Sequence, residues 1–266
     1  PKPLRMCRLS SPVLPVATEA TWKYFWSKPD VIAYCEKHFA EVGDTARRLG
    51  VRISFHPGQF TVLASESDDI IKRSIEEFEY HVNMARWMGY GKTFQDFKIN
   101  VHISGKRGPQ GIIDVLPKLT PEARNTITIE NEEMKWGLND ILELEKHVAL
   151  VFDIHHHWVN CGEWITHTDD RIKRIINSWR GVRPAMHYSQ PRESLHNKVD
   201  ANKLLDREDL FTKGENRATI RAHSDFYWHV PTNDWLKPFG ELFDIQCESK
   251  AKNLASSLLA KQYELI

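Results

Sequence analysis

No stretch of this chain approaches the roughly 18 uninterrupted apolar residues that a membrane-spanning helix needs, and none has the order of a secretory signal. Cysteine is scarce. Cys7, Cys35, Cys161 and Cys247 form no Cys-x-x-Cys pair, which argues against a disulfide framework or a thiolate zinc site and makes the cytosol the default compartment, or the nucleus in a eukaryote. Charge of one sign is not in excess either. Lys and Arg number 36 and Asp and Glu 36, so the net charge of zero speaks against a general polyanion binder, although the distribution of charge matters more than its sum. Internal repeats and low-complexity tracts are missing, and so is an initiator Met, from which the expectation is a chain that starts inside a longer protein. What remains is an ordinary globular composition, 41% hydrophobic and 27% charged, in 266 residues. That length suits one α/β barrel or two small domains.

Seven short apolar segments carry most of the information. Six run into a histidine or a carboxylate: Arg52–His56, Phe97–His102, Thr126–Glu130, Ala149–Asp153, Ala185–His187 and Phe243–Glu248. The first, Leu4–Ser10, ends on Arg8 and Ser10, which a period of two turns inward. Between them lie stretches of helical periodicity at Pro29–Leu49, Ser67–Met88, Asn139–His147, Asp169–Trp179, Asp234–Phe239 and Ser249–Tyr263. Such regular alternation predicts βα units on a parallel sheet, and its repetition favours a (β/α)8 TIM barrel over an open sheet. Pro191–Asn216 breaks the rhythm, being polar and weakly periodic, and reads as an insertion at about 191–216 in a single domain spanning 1–266.

Strand periodicity puts Ser54 with His56 on one face and Asn100 with His102 and Ser104 on one face, leaving Ile53, Phe55 and Val101 to pack beneath helices. Catalytic groups of such barrels come from the C-terminal ends of several strands. His56, His102, Glu130, Asp153, His187 and Glu248 stand at such ends, and His156 follows in the run Asp153-Ile-His-His-His. Three carboxylates buried together without compensation would be costly, so a cationic centre is expected. Imidazole and carboxylate ligands without sulfur suit Mn²⁺, Zn²⁺ or Fe²⁺, and seven ligands are too many for one tetrahedral ion. Two or three ions bridged by Glu130 or Glu248 fit better. Such a cluster makes hydroxide at neutral pH and neutralises the attacking and leaving oxygens of a phosphodiester. His155 or His157 would orient the ligands from behind.

The motifs HPGQF (56–60), VHISG (101–105), IENEE (129–133), DIHHH (153–157), HYSQ (187–190), RAHSD (221–225) and CESKAK (247–252), preceded by RLSSPVLPVAT (8–18), resemble in order and spacing those of the ultraviolet-damage endonuclease family. The resemblance runs over nearly the whole chain and fails only in the insertion. It implies a TIM barrel related to endonuclease IV and xylose isomerase. It also implies a DNA repair hydrolase that nicks the backbone 5′ of ultraviolet photoproducts and other lesions with a divalent cluster, commonly Mn²⁺. Carried over position by position, the ligands are Glu19, His56, His102, Glu130, Asp153, His156, His187 and Glu248, with Glu130, Asp153, His156 and Glu248 at the centre of the chemistry. Gln59 and Phe60 stand where the family has a Gln-Tyr wedge. Lys106, Arg107, His223, Lys250 and Lys252 fall beside the substrate, which is damaged double-stranded DNA bound by a monomer without a membrane.

This chain departs from the family pattern in three places. Glu19 replaces a histidine ligand, and Ala185 replaces a lysine that carries a bridging modification in some members. The family's first strand and helix have no counterpart before Leu4, so seven strands are expected, with the edges of Leu4–Ser10 and Phe243–Glu248 lacking a shared neighbour. A sugar-isomerase-like barrel and a non-catalytic damage-binding barrel are the alternatives. The first would use similar ligands on a small substrate and need no wedge loop, and the second gains weight from the missing first strand.

Overall fold

The computed structural model describes residues 4–263. Two compact units divide the described residues, one of Arg5–Ile129 with His147–Ala149, the other of Leu4, Glu130–Lys146 and 150–263. Seven strands follow one another across the sheet in chain order: β1 (Met6–Arg8), β2 (Arg52–Phe55), β3 (Lys98–His102), β4 (Ile127–Glu130), β5 (Ala149–Asp153), β6 (Ala185–Tyr188) and β7 (Asp244–Cys247). They are the seven apolar segments of the sequence, shifted at most by a residue or two at their ends. β1 pairs with β2, β2 with β3, β5 with β6 and β6 with β7, each in parallel. Parallel neighbours need a crossover, and helices supply it between successive strands.

In the first unit, the Pro29–Leu49 helix begins with Pro at its first position and ends at Gly50, whose φ of 61° lets its N–H reach back to the Ala46 and Arg47 carbonyls. Its buried face, Cys35, Phe39, Gly43 and Ala46, repeats at intervals of four, four and three. At Gly43 a side chain is excluded, since an added Cβ would sit 2.0 Å from the Met88 carbonyl oxygen. The Asp68–Trp87 helix starts on a Ser67 cap and buries Ile71, Phe78, Val82 and Ala85. Ile53, Phe55, Phe97, Ile99 and Ile129 complete an apolar interior. Arg8 and Ser10, expected to point inward, are exposed. Among the described residues β1 is an edge strand with one strand neighbour, β2.

In the second unit, residues 150–153 of β5 are buried throughout. Asp153 ends it and in the same stroke caps the Ile154–Cys161 helix, its Oδ1 accepting from the His156 N–H at 2.8 Å. The Asp170–Ser178 helix matches its periodic stretch. Two expected helices come out shorter. Asn139–His147 resolves into the Leu138–Ile141 turn and a 3₁₀ turn at Leu142–Leu144, and Asp234–Phe239 falls across two short helices, Val230–Leu236 and Phe239–Leu242, flanking Pro238. The 191–216 stretch has a core of its own. Leu195, Leu205 and Leu210 join Trp158, Val159 and Ile220 in one buried cluster, and the Trp158 and Trp164 indole N–H groups both donate to the Leu205 carbonyl. Its apolar residues are too irregularly spaced to register as a period.

Candidate metal centre

The register of β5, β6 and β7 sets Asp153 level with His187 and His187 level with Gln246, which delivers Asp153, His187 and the following Glu248 to the same end of three adjacent strands. Glu130 ends β4 in full burial. Its Oε1 lies 3.1 Å from His187 Nδ1 and 3.3 Å from His156 Nδ1, and His187 Nδ1 also lies 3.2 Å from Glu248 Oε1. Glu130, Asp153 and His156 form one group whose ligand atoms all lie within 4.8 Å of one another.

Asn131 holds this arrangement in place. Its side chain completes the backbone pairing of Asp153, accepting from the Asp153 N–H and donating to the Asp153 carbonyl, both at 2.9 Å. The carbonyl of Asn131 lies 3.0 Å from His156 Nδ1 and can only accept. Nδ1 therefore carries the proton, and Nε2 is turned toward Glu133, 3.8 Å away. Asn131 and Glu133 follow Glu130 directly in IENEE, and nothing in the residue types marks the first as a clamp on a neighbouring strand.

The charges do not balance. Glu130, Asp153 and Glu248 bring three carboxylates to two imidazoles, in a place nearly closed to water. Burial foremost, with the charges of Glu130 and Glu248 behind it, pushes the Asp153 carboxyl up to about 7 against the pull of His156. Burial acts to lower His156, but Asp153, Glu130 and Glu133 overcome it and hold the ring well above the usual histidine range. One oxygen of Asp153, Oδ2, is buried with no hydrogen-bond partner among the described residues. A divalent ion would supply what that oxygen and the surplus negative charge lack, and oxygen and nitrogen donors without sulfur suit such an ion. The residues fit a metal centre.

His155 and His157, expected behind the ligands, go elsewhere. The His155 ring packs on Trp158 and against His223, and burial with the neighbouring His223 and His156 holds it well below its ordinary pKa. His157 turns to Glu163 and Cys161. His223 is half-buried, its ring 6.5 Å from that of His156. Gln190 of the HYSQ motif is scaffold, its amide donating to Tyr188 Oη and Asn233 Oδ1 at 2.7 Å each.

In the other unit, the His56 and His102 rings meet edge to face at 4.8 Å. His56 Nδ1 donates to the Pro57 carbonyl at 3.1 Å, so its Nε2 lone pair faces the Asn100 amide at 3.3 Å, and Thr128 donates to the other end of that amide at 2.7 Å. Asn100 is thus a positioning residue for His56, which strand periodicity placed on the right face without giving it a role. Beyond His56 the chain turns: the Thr61 N–H donates to the Gly58 carbonyl at 3.0 Å, putting Gln59 and Phe60 at the two tip positions. Phe60 is 86% exposed, which removes the option that it is a core aromatic. Gly105, closing VHISG, has φ of 99° and lies so close to Ala64 that a Cβ would sit 2.4 Å from its carbonyl oxygen, pinning the next loop. On that loop Lys106 pairs with Glu66 at 3.0 Å and Arg107 with Asp114. Glu19, Lys250 and Lys252 are exposed. Ala185 is fully buried in β6.

The profile of the UV-endonuclease UvdE family matches residues 3–265. The chain belongs to that family. Among curated UvdE relatives, the UV DNA damage endonuclease of Bacillus pumilus (strain SAFR-032) is 28% identical over 97% of this chain and 75% of that protein. The UV-damage endonuclease of Schizosaccharomyces pombe is 26% identical over 98% of this chain and 41% of that protein. Of solved structures, SacUVDE superposes with a TM-score of 0.73 at 22% identity over 98% of this chain and 81% of its own. Endonuclease IV from Thermus thermophilus gives 0.60 at 11% identity, over 98% of both chains. These likenesses establish the fold as an α/β architecture of the TIM-barrel kind, with seven strands among the described residues. UvdE membership does not favour the sugar-isomerase-like alternative.

Proposed function

We propose that this chain is a metal-dependent endonuclease of DNA repair, a hydrolase that nicks the phosphodiester backbone 5′ of ultraviolet photoproducts and related lesions. The observation that carries the reading is the uncompensated Glu130–Asp153–Glu248 group at its strand ends, with the orphaned Asp153 Oδ2, in a chain of the UvdE family. Glu130, Asp153, His156, His187 and Glu248 would hold the metal, and His56 and His102 are the further ligands that the family resemblance implies. Glu19, exposed on its turn, is left out of this set. Two or three ions, Mn²⁺ foremost and Zn²⁺ or Mg²⁺ as substitutes, are proposed. When bound, such ions polarise a phosphodiester and stabilise the negative charge that develops on its attacking and leaving oxygens.

The chain's own residues set the conditions for that chemistry. Glu130 Oε1 gathers His156 and His187, lying 3.3 and 3.1 Å from their Nδ1 atoms. Asn131 keeps Asp153 from turning away. Phe60, at the tip of an exposed turn, offers a ring face to bases that a lesion has unstacked, with Gln59 beside it to take their polar edges. Lys250 is exposed for phosphate contact, whereas Lys106 and Arg107 would exchange their carboxylate partners for phosphate oxygens. The protein would act as a monomer on duplex DNA, in the cytoplasm or nucleus. The test compares nicking of ultraviolet-irradiated and unirradiated duplex in Mn²⁺ buffer by the parent chain and by Glu130→Gln. The reading expects cuts 5′ of photoproducts by the parent alone, and a loss of rate by more than about 10³-fold in the variant. Equal cutting of both duplexes, or full activity of the variant, would refute it.

A further inference from the structure

A second group of metal-ligating side chains lies on the Ile154–Cys161 helix, turned away from Asp153 and His156. His157 and Cys161 are four residues apart and so share one helix face. The helix then stops at Gly162, whose φ of 80° reverses the chain and returns Glu163 to His157. The His157 Nε2 atom lies 3.5 Å from Cys161 Sγ and 3.1 Å from Glu163 Oε2, and all three donors lie within 4.8 Å of one another. A tetrahedral zinc ion, with bonds of about 2.3 Å to sulfur and about 2.0–2.1 Å to nitrogen and oxygen, holds its sulfur and nitrogen ligands about 3.5 Å apart and its nitrogen and oxygen ligands a little closer. The two separations from His157 Nε2 already match those values.

From this juxtaposition we propose a second metal site, at which His157 Nε2, the Cys161 thiolate and Glu163 Oε2 bind one zinc ion and water fills the fourth position. Neither the spacing of the cysteines nor the proposed repair activity requires it. The chemistry of the donors separates it from the strand-end centre: one soft sulfur selects zinc or another thiophilic divalent ion, where the hard oxygen and nitrogen set suits Mn²⁺. The surroundings are those of a built ligand set. Arg171 grips both oxygens of Glu163 at 2.6 and 2.9 Å and is itself paired with Asp169 at 2.8 Å, so the carboxylate is aimed by a partner whose charge is already matched. Phe152 lies against the His157 ring at 5.9 Å and closes the inner side. The outer side is open, since Cys161 is exposed and the Glu163 side chain is 46% exposed.

On binding, the thiol proton that now points to the His157 carbonyl, 3.2 Å from Sγ, passes to solvent as sulfur takes the metal. The consequence is mechanical. Zinc would tie the loop after Gly162 to the helix that starts on Asp153, and so stiffen the helix that carries His156.

Cobalt(II) reports the site directly, because a thiolate ligand gives a sulfur-to-cobalt charge-transfer absorption that oxygen and nitrogen ligands do not. The chain titrated with Co²⁺ should develop this absorption, and Cys161→Ala should lose it. Zinc binding should show one equivalent more in the parent than in Cys161→Ala or Glu163→Gln, each weakening that equivalent by more than about 100-fold. Nicking by Cys161→Ala in Mn²⁺ should match the parent, which keeps this test apart from that of the repair activity. No thiolate absorption, or an absorption and stoichiometry unchanged in Cys161→Ala, would overturn the site.

Discussion

Asp153 divides two tasks between its two oxygens. Oδ1 caps a helix, while Oδ2 stands buried with no donor among the described residues. The division predicts that charge and cap can be removed separately. Asp153→Asn keeps an acceptor for the His156 N–H and removes one of three crowded negative charges. In chelator it should unfold no more easily than the parent, yet its nicking rate should fall by more than about 10³-fold. Asp153→Ala loses the cap as well and should be about 1 kcal/mol less stable by urea unfolding. If Asp153→Asn proves as unstable as Asp153→Ala, the cap is not what Oδ1 provides.

Phe60 and Gln59 make the matching case at the tip after β2. Base stacking is worth about 1–3 kcal/mol, so Gln59→Ala with Phe60→Ala should cut the preference for irradiated over intact duplex about tenfold or more while metal content stays normal. A double variant that discriminates as well as the parent would leave the exposed ring without this role.

Helices and strands were legible in the sequence wherever one face is buried by its own chain neighbours. The Pro29–Leu49 helix carries its stop signal and its apolar stripe in the residues themselves. The candidate ligands Glu130, Asp153 and His187 could be read because each sits where an apolar strand ends. Asn131 could not, because its work is to complete the backbone pairing of a strand about twenty residues away. The group at Cys161 was hidden for a similar reason. Its third member, Glu163, is placed by a glycine turn rather than by a period.

Close approach gives a sharp element-scale prediction at Gly43, which faces the Met88 carbonyl. Alanine is the better helix former by about 1 kcal/mol, yet its Cβ would force the two helices apart. Gly43→Ala should therefore lower stability by about 1–3 kcal/mol in urea unfolding, where helix propensity alone would raise it.

Acid should act on the buried histidines. Burial foremost holds His81, His155, His157, His223 and His229 below their ordinary value. Above about pH 6.5 neither the folded nor the unfolded chain protonates them. As pH falls below that, the unfolded chain takes up protons that the folded chain refuses, and stability drops. Asp153 opposes this, since its raised pKa makes the fold bind a proton first between about 3.8 and 7, but it is one group against five. His156, held high, binds its proton first in the fold and so also opposes the loss, but only until the unfolded chain is protonated just below about 6.5. The metal-free protein should thus lose more than about 1.4 kcal/mol between pH 6.5 and 5 by urea unfolding. A rising stability over that range would contradict the burial of these rings.

For the molecule as a whole, a net charge of zero makes DNA binding depend on where the cations lie. Several are committed to carboxylates, among them Lys106, Arg107 and Arg171. The proposed activity then rests less on a broad electrostatic attraction to the duplex than on the metal and the exposed turn. The decisive measurement is anomalous scattering at the manganese edge from crystals of the chain grown with Mn²⁺. The account predicts two or three peaks within about 2.0–2.3 Å of donor atoms of Glu130, Asp153, His156, His187 and Glu248. Peaks elsewhere only, or no peak at a Mn²⁺ concentration that supports nicking, would contradict it.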